Sequence, residues 1–234
     1  MRKYSKKYKN KKPLISIITV VLNGERHIEK AIKSVLNQSY KNFEYIIIDG
    51  QSSDKTLKII KKYKSKIDYW ISEKDKGIYD AMNKGIKISK GTIIGILNSD
   101  DFYKKNALKI VSKYFSKNKS LDFLFGSIMK NRLMSGYHPE KIKWKFNIYP
   151  GHSSGFFIKK LVHDKIGLYN TKFKYSADYD LIYKLIVKYK FKGMCTKSNE
   201  ITGVFRTDGI GSKVGFLGKL SEETKIRIHN KQNI

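Results

Sequence analysis

The sequence has 234 residues, with 49 Lys or Arg against 20 Asp or Glu, and its formal net charge at pH 7 is +29. A chain of this length buries one substantial core, and a field of this size attracts polyanions such as nucleic acid, anionic lipid headgroups or sugar phosphates, although an AT-rich coding sequence would give the same lysine excess. The single cysteine, Cys195, excludes an internal disulfide and a thiolate zinc cluster.

The N-terminal residues 1–12 carry seven Lys or Arg and almost no apolar side chains, which is typical of a flexible basic arm. They contain no apolar signal-peptide region, and no apolar segment approaches the ~20 residues that span a bilayer. We therefore expect a cytoplasmic protein.

Apolar runs and helical periods alternate through the first hundred residues. Four runs rich in β-branched residues predict strands, and apolar residues at helical spacing between them predict three helices. The four strands are residues 14–21, 43–48, 67–71 and 92–97. Repeated strand-helix-strand units require a parallel sheet with right-handed crossovers, so the fold class is α/β with a mostly parallel central sheet flanked by helices.

The second half of the chain is less regular. Its pattern predicts a helix near residues 107–115, strands, a loop, a further helix and a last strand, followed by a charged tail that is weakly helical at best. The strands are 121–125, 127–134 and 191–205, the loop is 136–155 and the second helix is 176–189. We expect one domain over residues 13–212, with a nucleotide-binding half to residue 101 and an acceptor half beyond it, and a tail over 213–234.

Polar side chains follow three of the predicted parallel strands. Asn23 follows the first, Asp49 the second, and Asp100 and Asp101 the fourth, so all lie along the sheet edge where ligands bind in open α/β sheets. Asp49 can accept hydrogen bonds from a base or a ribose, and Gly50 lets the backbone approach a ligand closely. The alternative is that the acid pair merely begins a loop or caps the next helix.

Two glycine-rich phosphate motifs are absent from the chain. Neither G-x-G-x-x-G nor G-x-x-x-x-G-K-[ST] follows the first strand, where Val21-Leu22-Asn23-Gly24 stands instead. Something other than a glycine cradle must then neutralise the phosphates of a bound nucleotide. A divalent cation on Asp101 is the economical choice, since hard cations prefer carboxylate oxygens shared with phosphates.

Four segments together resemble a known family. Residues 16–24 (SIITVVLNG) and 46–56 (IIIDGQSSDKT) resemble the start of family 2 glycosyltransferases. Residues 72–86 (SEKDKGIYDAMNKGI) and 98–101 (NSDD) resemble the branch that builds bacterial surface polysaccharides such as capsule, O-antigen and colanic acid. The resemblance implies a GT-A fold and transfer of a sugar from a nucleotide-diphosphate donor, with a UDP-sugar expected.

The resemblance also implies roles for single residues. It matches Asp100 and Asp101 to the family's DXD-type element, in which the first acid lies near the donor's ribose or sugar and the second holds Mg²⁺ or Mn²⁺. The positions that match the nucleotide pocket are Thr19, Asn23, Asp49, Gly50, Asp75, Asn83 and Asp100. From the residues alone, Asp75 is equally a turn acid before Gly77, and Asn83 a polar position on a helix.

The segment 176–181 (SADYDL) resembles the family's Glu-Asp-x-Glu/Asp motif at the head of a helix. Asp178 matches the general base of an inverting displacement, and Asp180 is expected near the acceptor. Ala177 departs from the pattern, because many members carry Glu there. The alternative is that Ser176 or Asp178 only caps the helix, which is worth about 1 kcal/mol.

Two further residues complete the predicted site. His152 lies in a glycine-flanked loop where similar relatives carry a histidine, so it could contact the acceptor or the donor phosphates; a solvated loop histidine is the alternative. Arg206 precedes a glycine-rich segment that could close as a lid, and its guanidinium fork matches phosphate oxygens.

These inferences predict a metal-dependent glycosyltransferase that acts on a saccharide or a lipid-linked saccharide at the membrane face, where the basic arm suits anionic lipid. A sugar-nucleotide nucleotidyltransferase is the first rival, although a glycine-rich phosphate loop would be expected of it. A basic nucleic-acid-binding module is the second. It leaves the acids at the strand ends unexplained, since they repel phosphate in the absence of metal, so no nucleic acid partner is expected.

Overall fold

The first strand, β1 (Ile15–Val21), is buried along its whole length, as a continuous apolar run in a parallel sheet should be. The computed structural model describes residues 12–137, 153–206 and 216–231. After β1 the predicted alternation of strand and helix continues to the acid pair. The elements are α1 (Ile28–Leu36), β2 (Phe43–Asp49), α2 (Thr56–Lys62), β3 (Tyr69–Ser72), α3 (Ile78–Ile88) and β4 (Ile93–Asn98).

The second half consists of short strands and four helices among the described residues. The elements are β5 (Phe102–Tyr103), α4 (Ala107–Lys117), β6 (Phe123–Phe125), β7 (Ser127–Met129), β8 (Leu133–Met134), β9 (Phe156–Lys159), α5 (Lys160–Ile166), α6 (Ala177–Tyr183), β10 (Gly193–Cys195), β11 (Ile201–Val204) and α7 (Phe216–His229). Helix α6 continues as a π-helical turn over Lys184–Lys188.

The central sheet has seven strands in the order β10-β6-β9-β4-β1-β2-β3. Strand β1 pairs in parallel with both β2 and β4, and β9 is the one antiparallel member, between β4 and β6. A second sheet of four short strands has the order β5-β11-β7-β8. The predicted α/β fold with a mostly parallel sheet is confirmed.

Helices cover both faces of the central sheet. Side chains of β1 alternate between the faces, so that Ile15 and Ile17 pack with α1, α2 and α4, while Ile18 and Val20 pack with α3 and α6. Ile226 of α7 is fully buried in the second of these two cores. The apolar faces of the helices thus close the core on both sides.

Some expectations for the second half were wrong. The expected strand 191–205 is two short strands in different sheets, and the expected strand 127–134 is the antiparallel pair β7 and β8. The pattern gave no signal for β9 and α5, because a four-residue strand that passes directly into a helix shows no full period of either kind.

The C-terminal segment also differs from its expectation. Where the sequence predicted a charged tail with little helix, the structure has the 14-residue helix α7. The apolar residues of this charged segment show only a weak helical spacing, yet Ile226 and Arg227 are buried against the domain. Tertiary packing therefore stabilises a helix that local preference leaves marginal.

None of the helices in the described ranges combines the length and the apolar character needed to cross a membrane.

Candidate active site

The carboxyl ends of the parallel strands lie at one edge of the central sheet. In register, Val21 of β1 pairs with Asp49 of β2, which pairs with Ser72 of β3. On the other side of β1, Val20 pairs with Asn98, the last residue of β4. The loops that follow these four strands therefore begin side by side, as the sequence predicted for Asn23, Asp49 and the acid pair.

Asn23 ties the loop after β1 to the loop after β2. It adopts a left-handed conformation with φ of 50°, which asparagine tolerates better than most residues. Its Oδ1 accepts a hydrogen bond from the Ser53 N–H at 2.8 Å, and its own N–H donates to the Ser52 hydroxyl at 2.8 Å. Asn23 is exposed, so it stays at the surface of the edge that would receive a ligand.

The Asp49 side chain is fully buried and bound within the protein. Its carboxylate accepts hydrogen bonds from the Ser52 N–H at 3.0 Å, the Ser52 hydroxyl at 2.5 Å and the Ser72 hydroxyl at 2.6 Å. These bonds hold the ends of β2 and β3 together. The contact of Asp49 with a nucleotide stays a prediction, and the structure shows that this carboxylate also supports the loop that follows β2.

Gly50 and Asp75 meet at the same edge. A Cβ atom at position 50 would lie 2.5 Å from Asp75 Oδ2, so the close approach of this carboxylate requires glycine. Asp75 Oδ1 accepts the Gly77 N–H at 2.9 Å, which is the turn contact that the sequence left open as an alternative. The half-buried Asp75 carboxylate thus lies against the backbone of the loop after β2.

Asp101 is the buried acid of the pair. Its side chain is 1% exposed, and its Oδ1 accepts the backbone N–H of Arg206 at 3.0 Å. Burial, together with the negative charge of the neighbouring Asp100, raises the pKa of Asp101 to about 8. Asp100 itself is partly exposed. The site therefore holds a buried carboxylate that is costly to ionise without a compensating positive charge.

Asn98 is a site residue that the sequence argument did not assign. Its Nδ2 donates to the Ser153 hydroxyl at 3.0 Å, whereas its buried Oδ1 accepts no hydrogen bond among the described residues. The next residue, Ser99, approaches the loop after β1, because a Cβ at Gly24 would lie 3.2 Å from the Ser99 hydroxyl. The available signal was the position of Asn98 at the strand end, two residues before Asp100.

Asp178 lies in the first turn of α6 and is half-buried. Its Oδ1 accepts hydrogen bonds from the Tyr79 hydroxyl at 3.2 Å and from the Tyr179 N–H at 3.0 Å. Burial and the charge of Asp178 raise the pKa of Tyr79 well above its ordinary value, so this hydroxyl stays protonated and can donate. Tyr79 was not assigned from the sequence, although it lies within the segment 72–86.

Thr19 and Asn83 are both buried within the protein. Thr19 is fully buried, with its hydroxyl 3.1 Å from the Tyr45 hydroxyl inside the core. Asn83 is 7% exposed, and its amide forms hydrogen bonds to the backbone of Tyr169 in both directions, at 2.9 and 3.0 Å. The nucleotide contacts of Thr19 and Asn83 stay predictions, and the contacts that the structure shows for them are internal.

Asp180 is likewise engaged inside the protein. It is 1% exposed, its Oδ2 pairs with the Lys184 ammonium at 2.6 Å, and its Oδ1 accepts the Asn230 side-chain amide of α7 at 2.8 Å. The acceptor contact of Asp180 stays a prediction, and the structure shows this residue joining α6 to the end of α7.

The two remaining predicted residues are His152 and Arg206. His152 lies outside the described residues. Arg206 lies next to Asp101, because its N–H donates to that carboxylate and its positive charge lowers the pKa of Asp101. The contact of Arg206 with a diphosphate stays a prediction, and the glycine-rich segment 207–215 is outside the described residues.

Comparison with known proteins bears on this edge of the sheet. The profile described as Glycosyl transferase family 2 matches residues 16–174, which contain the strand-end acids. An uncharacterized glycosyltransferase of Rickettsia typhi is 30% identical over 242 residues, covering 92% of this chain and 75% of the relative. The chain belongs to glycosyl transferase family 2. The predicted family is thus confirmed, and with it the expectation of a transferase.

Solved structures with the same fold agree with this family 2 assignment. S. aureus TarS in complex with UDP has a TM-score of 0.69 at 18% identity, covering 92% of this chain and 64% of that chain. A mannosyltransferase from Pyrobaculum calidifontis, in complex with GDP-Man and Mn²⁺, has a TM-score of 0.73 at 13% identity, covering 95% and 65%. The chain thus spans slightly less than two thirds of either structure. The likeness concerns the fold, and the GT-A expectation is confirmed.

The residues at the end of β4 suit a divalent cation to which the protein supplies only a few ligands. The described residues contain no group of three or more His, Cys, Asp or Glu that could hold a metal ion. They do supply the buried Asp101 carboxylate, the adjacent Asp100 and the unbonded Asn98 Oδ1, which are hard oxygen donors. Mg²⁺ and Mn²⁺ are often held by one or two carboxylates together with substrate phosphates and water, so this donor set suits a shared ion.

Removing the charge of Asp101 should change how stability depends on pH. The folded state holds the Asp101 proton up to about pH 8, whereas an aspartate with its ordinary pKa of 3.8 loses the proton near that pH. The folded protein therefore binds more protons than the unfolded chain between these values, and this group lowers stability as pH rises through that window. Without divalent metal, we expect Asp101→Asn to be more stable than wild type at pH 8 by a few kcal/mol, at about 1.4 kcal/mol per pKa unit.

Urea unfolding of both proteins from pH 4 to pH 8.5 in EDTA measures this difference. It should be near its minimum at pH 4, grow with pH and level off above pH 8. If the unfolding free energies of wild type and variant changed with pH in parallel, ionisation of Asp101 would not destabilise the folded state.

Proposed function

We propose that this family 2 glycosyltransferase moves a sugar from a nucleoside diphosphate donor, with UDP as the nucleotide, to a hydroxyl of a saccharide or lipid-linked saccharide. The observation that carries the proposal is the buried Asp101 beside Asp100 at the end of β4. A carboxylate in that position is stabilised by a cation, and a cation there can bind a diphosphate. The neighbours solved with UDP and with GDP-Man and Mn²⁺ support the same class of donor.

The reaction assigns separate tasks to Asp178 and to the acids that follow β4. The acceptor oxygen forms a bond to the anomeric carbon while the bond from that carbon to the diphosphate oxygen breaks, and the electron pair leaves with the diphosphate. Asp178 takes the proton of the acceptor hydroxyl. A divalent cation held by Asp101 would stabilise the charge that develops on the leaving diphosphate. Displacement from the opposite face gives an inverted anomeric configuration.

Asp178 suits the role of base because its orientation is fixed. The hydrogen bonds from the Tyr79 hydroxyl and the Tyr179 N–H both reach Oδ1, which restrains the rotation of the carboxylate. A restrained base loses less freedom when it reaches the transition state. The resemblance of residues 176–181 to the family motif supports the same assignment.

Surface-polysaccharide synthesis is proposed as the setting of this activity. It rests on the resemblance of residues 72–86 and 98–101 to that branch of the family. A Mycobacterium tuberculosis relative, named as a PGL/p-HBAD biosynthesis glycosyltransferase, is 27% identical over 72% of this chain and 68% of its own length. This name supports a role for the chain as a glycosyltransferase of a biosynthetic route.

Donor and metal should bind together. We expect UDP with Mn²⁺ to raise the melting temperature of the wild-type protein by several degrees, since mass action on the folded state stabilises it. Neither Mn²⁺ alone nor UDP with EDTA should give the full gain. Differential scanning fluorimetry with UDP, GDP, UDP-glucose, UDP-GlcNAc and GDP-mannose measures the effect and ranks the donors.

Asp101→Asn is the matched variant for this screen. Its melting temperature should not respond to the combination of UDP and Mn²⁺, although its metal-free stability is equal or higher. An equal response of variant and wild type would contradict the metal role. Release of pyrophosphate from a nucleoside triphosphate by the wild type would favour the rival nucleotidyltransferase.

Removal of the base should separate binding from turnover. We expect Asp178→Asn to lower kcat by ~100-fold or more while the dissociation constant for UDP with Mn²⁺ stays within twofold, since general-base catalysis contributes 10²–10⁴-fold. The measurement is release of nucleoside diphosphate from the donor that the screen selects. Asp164→Asn, which changes an exposed acid on α5, is the control and should retain wild-type turnover. Full activity of Asp178→Asn would contradict the assignment.

Peripheral membrane association is the second part of the proposal. It rests on the net charge of +29 and on the seven basic residues among residues 1–12. Each lysine near an anionic surface contributes about 1 kcal/mol, and added salt screens the attraction. A cavity of about 590 Å³ on α2 and the segments before α1 and α2 adds basic surface, since Arg26, Lys55, Lys58 and Lys62 line it together with Glu25 and Ile59.

Vesicle sedimentation tests this association. We expect the protein to sediment with vesicles containing 30 mol% phosphatidylserine at 50 mM NaCl, to stay in the supernatant with pure phosphatidylcholine, and to be released from the anionic vesicles by 500 mM NaCl. Equal partitioning to both kinds of vesicle would contradict electrostatic attachment.

A further inference from the structure

Glu222 of α7 forms hydrogen bonds to three successive backbone N–H groups just before α6. Its Oε1 accepts the N–H of Lys174 at 2.5 Å, and its Oε2 accepts those of Tyr175 at 2.6 Å and Ser176 at 2.7 Å. Hydrogen bonds to an ionised carboxylate are short and about twice as strong as neutral ones. One side chain therefore fixes the chain immediately ahead of Asp178.

Other contacts hold α7 in place for this task. Ile226, one turn after Glu222, is fully buried in the core that also contains side chains of α6. Asn230 donates to the buried Asp180 carboxylate of α6 at 2.8 Å, and the Arg227 guanidinium carbon lies 5.8 Å from the centre of the Tyr179 ring. Helix α7 is thus anchored to α6 at several points along its length.

The segment that Glu222 holds is also bound from the opposite side. The Tyr79 hydroxyl of α3 lies 3.1 Å from the Tyr175 carbonyl oxygen and 3.2 Å from Asp178 Oδ1. Residues 174–178 are therefore fixed between α3 and α7. A shift of this segment would move the Asp178 carboxylate, and small misplacements of a catalytic group are costly.

We propose that Glu222 is a positioning residue, which holds residues 174–176 in place and thereby sets the location of the Asp178 carboxylate. The proposal deepens the proposed function and rests on the role of Asp178 as the base. Glu222 acts through the backbone, so it affects turnover and leaves donor binding at the β4 edge unchanged. The C-terminal helix is on this basis a part of the catalytic apparatus.

Glu222→Gln tests the proposal with a neutral side chain of the same shape. The amide offers one acceptor oxygen in place of two, so the amide hydrogens of Lys174, Tyr175 and Ser176 should exchange with solvent at least tenfold faster than in the wild type. Hydrogen exchange resolved to single residues measures this. Glu223→Gln, which removes one charge at the neighbouring position and keeps the three bonds of Glu222, is the control and should exchange as the wild type does.

Turnover distinguishes positioning from a general loss of structure. With the donor selected by the thermal screen, we expect Glu222→Gln to lower kcat about tenfold while KM for that donor stays within twofold. In an Asp178→Asn background the same change should have no further effect on kcat, because Glu222 acts through Asp178. An equal loss in both backgrounds, or a loss shared by Glu223→Gln, would overturn the proposal.

The two proposals fail in different ways. Full activity of Asp178→Asn would overturn the base assignment, and the catalytic part of this inference with it. Unchanged amide exchange in Glu222→Gln, with Asp178→Asn inactive, would overturn the role of Glu222 alone.

Discussion

The parallel pairing of β1 with both β2 and β4 is the constraint on which the rest of the site depends. This pairing aligns Val21 with Asp49 and Val20 with Asn98, so the following loops start at one edge. A shift of one residue in either pair would turn every side chain of that strand to the opposite face and disrupt the packing of both cores. Burial of the strands on both faces therefore fixes the register that assembles the site.

The same burial gives the site its electrostatics. Because β4 is a central strand, the acid that follows it emerges from a dry part of the protein, and ionisation of Asp101 is disfavoured there. The partly exposed Asp100 increases this effect by its negative charge. A position of this kind favours a cation, and in the family 2 context the cation and a diphosphate would share the edge.

The proposed base, Asp178, is held by contacts between helices and not by the pairing of strands. Asp178 belongs to a helix on one face of the sheet, and its location follows from contacts with α3 and α7. In the proposed reaction the sheet edge would provide the donor side, and helix packing would provide the acceptor side. On the proposed assignment of the base, the two sides would be altered separately, and substitutions in α7 would change turnover without changing nucleotide binding.

The sequence by itself determined the α/β fold, the four parallel strands of the first half and the strand-end location of Asn23, Asp49 and the acid pair. These features follow from local periodicity and from the geometry of strand-helix-strand units. It did not determine which polar groups face a ligand. Asp49, Asn83 and Asp180 match a family pattern, yet their hydrogen bonds are made to residues far along the chain, such as Ser72, Tyr169 and Asn230. Only the tertiary structure decided those partners, and it alone gave α7 its helix, because the stability of that segment comes from long-range packing of Ile226 and from Glu222 rather than from its own sequence.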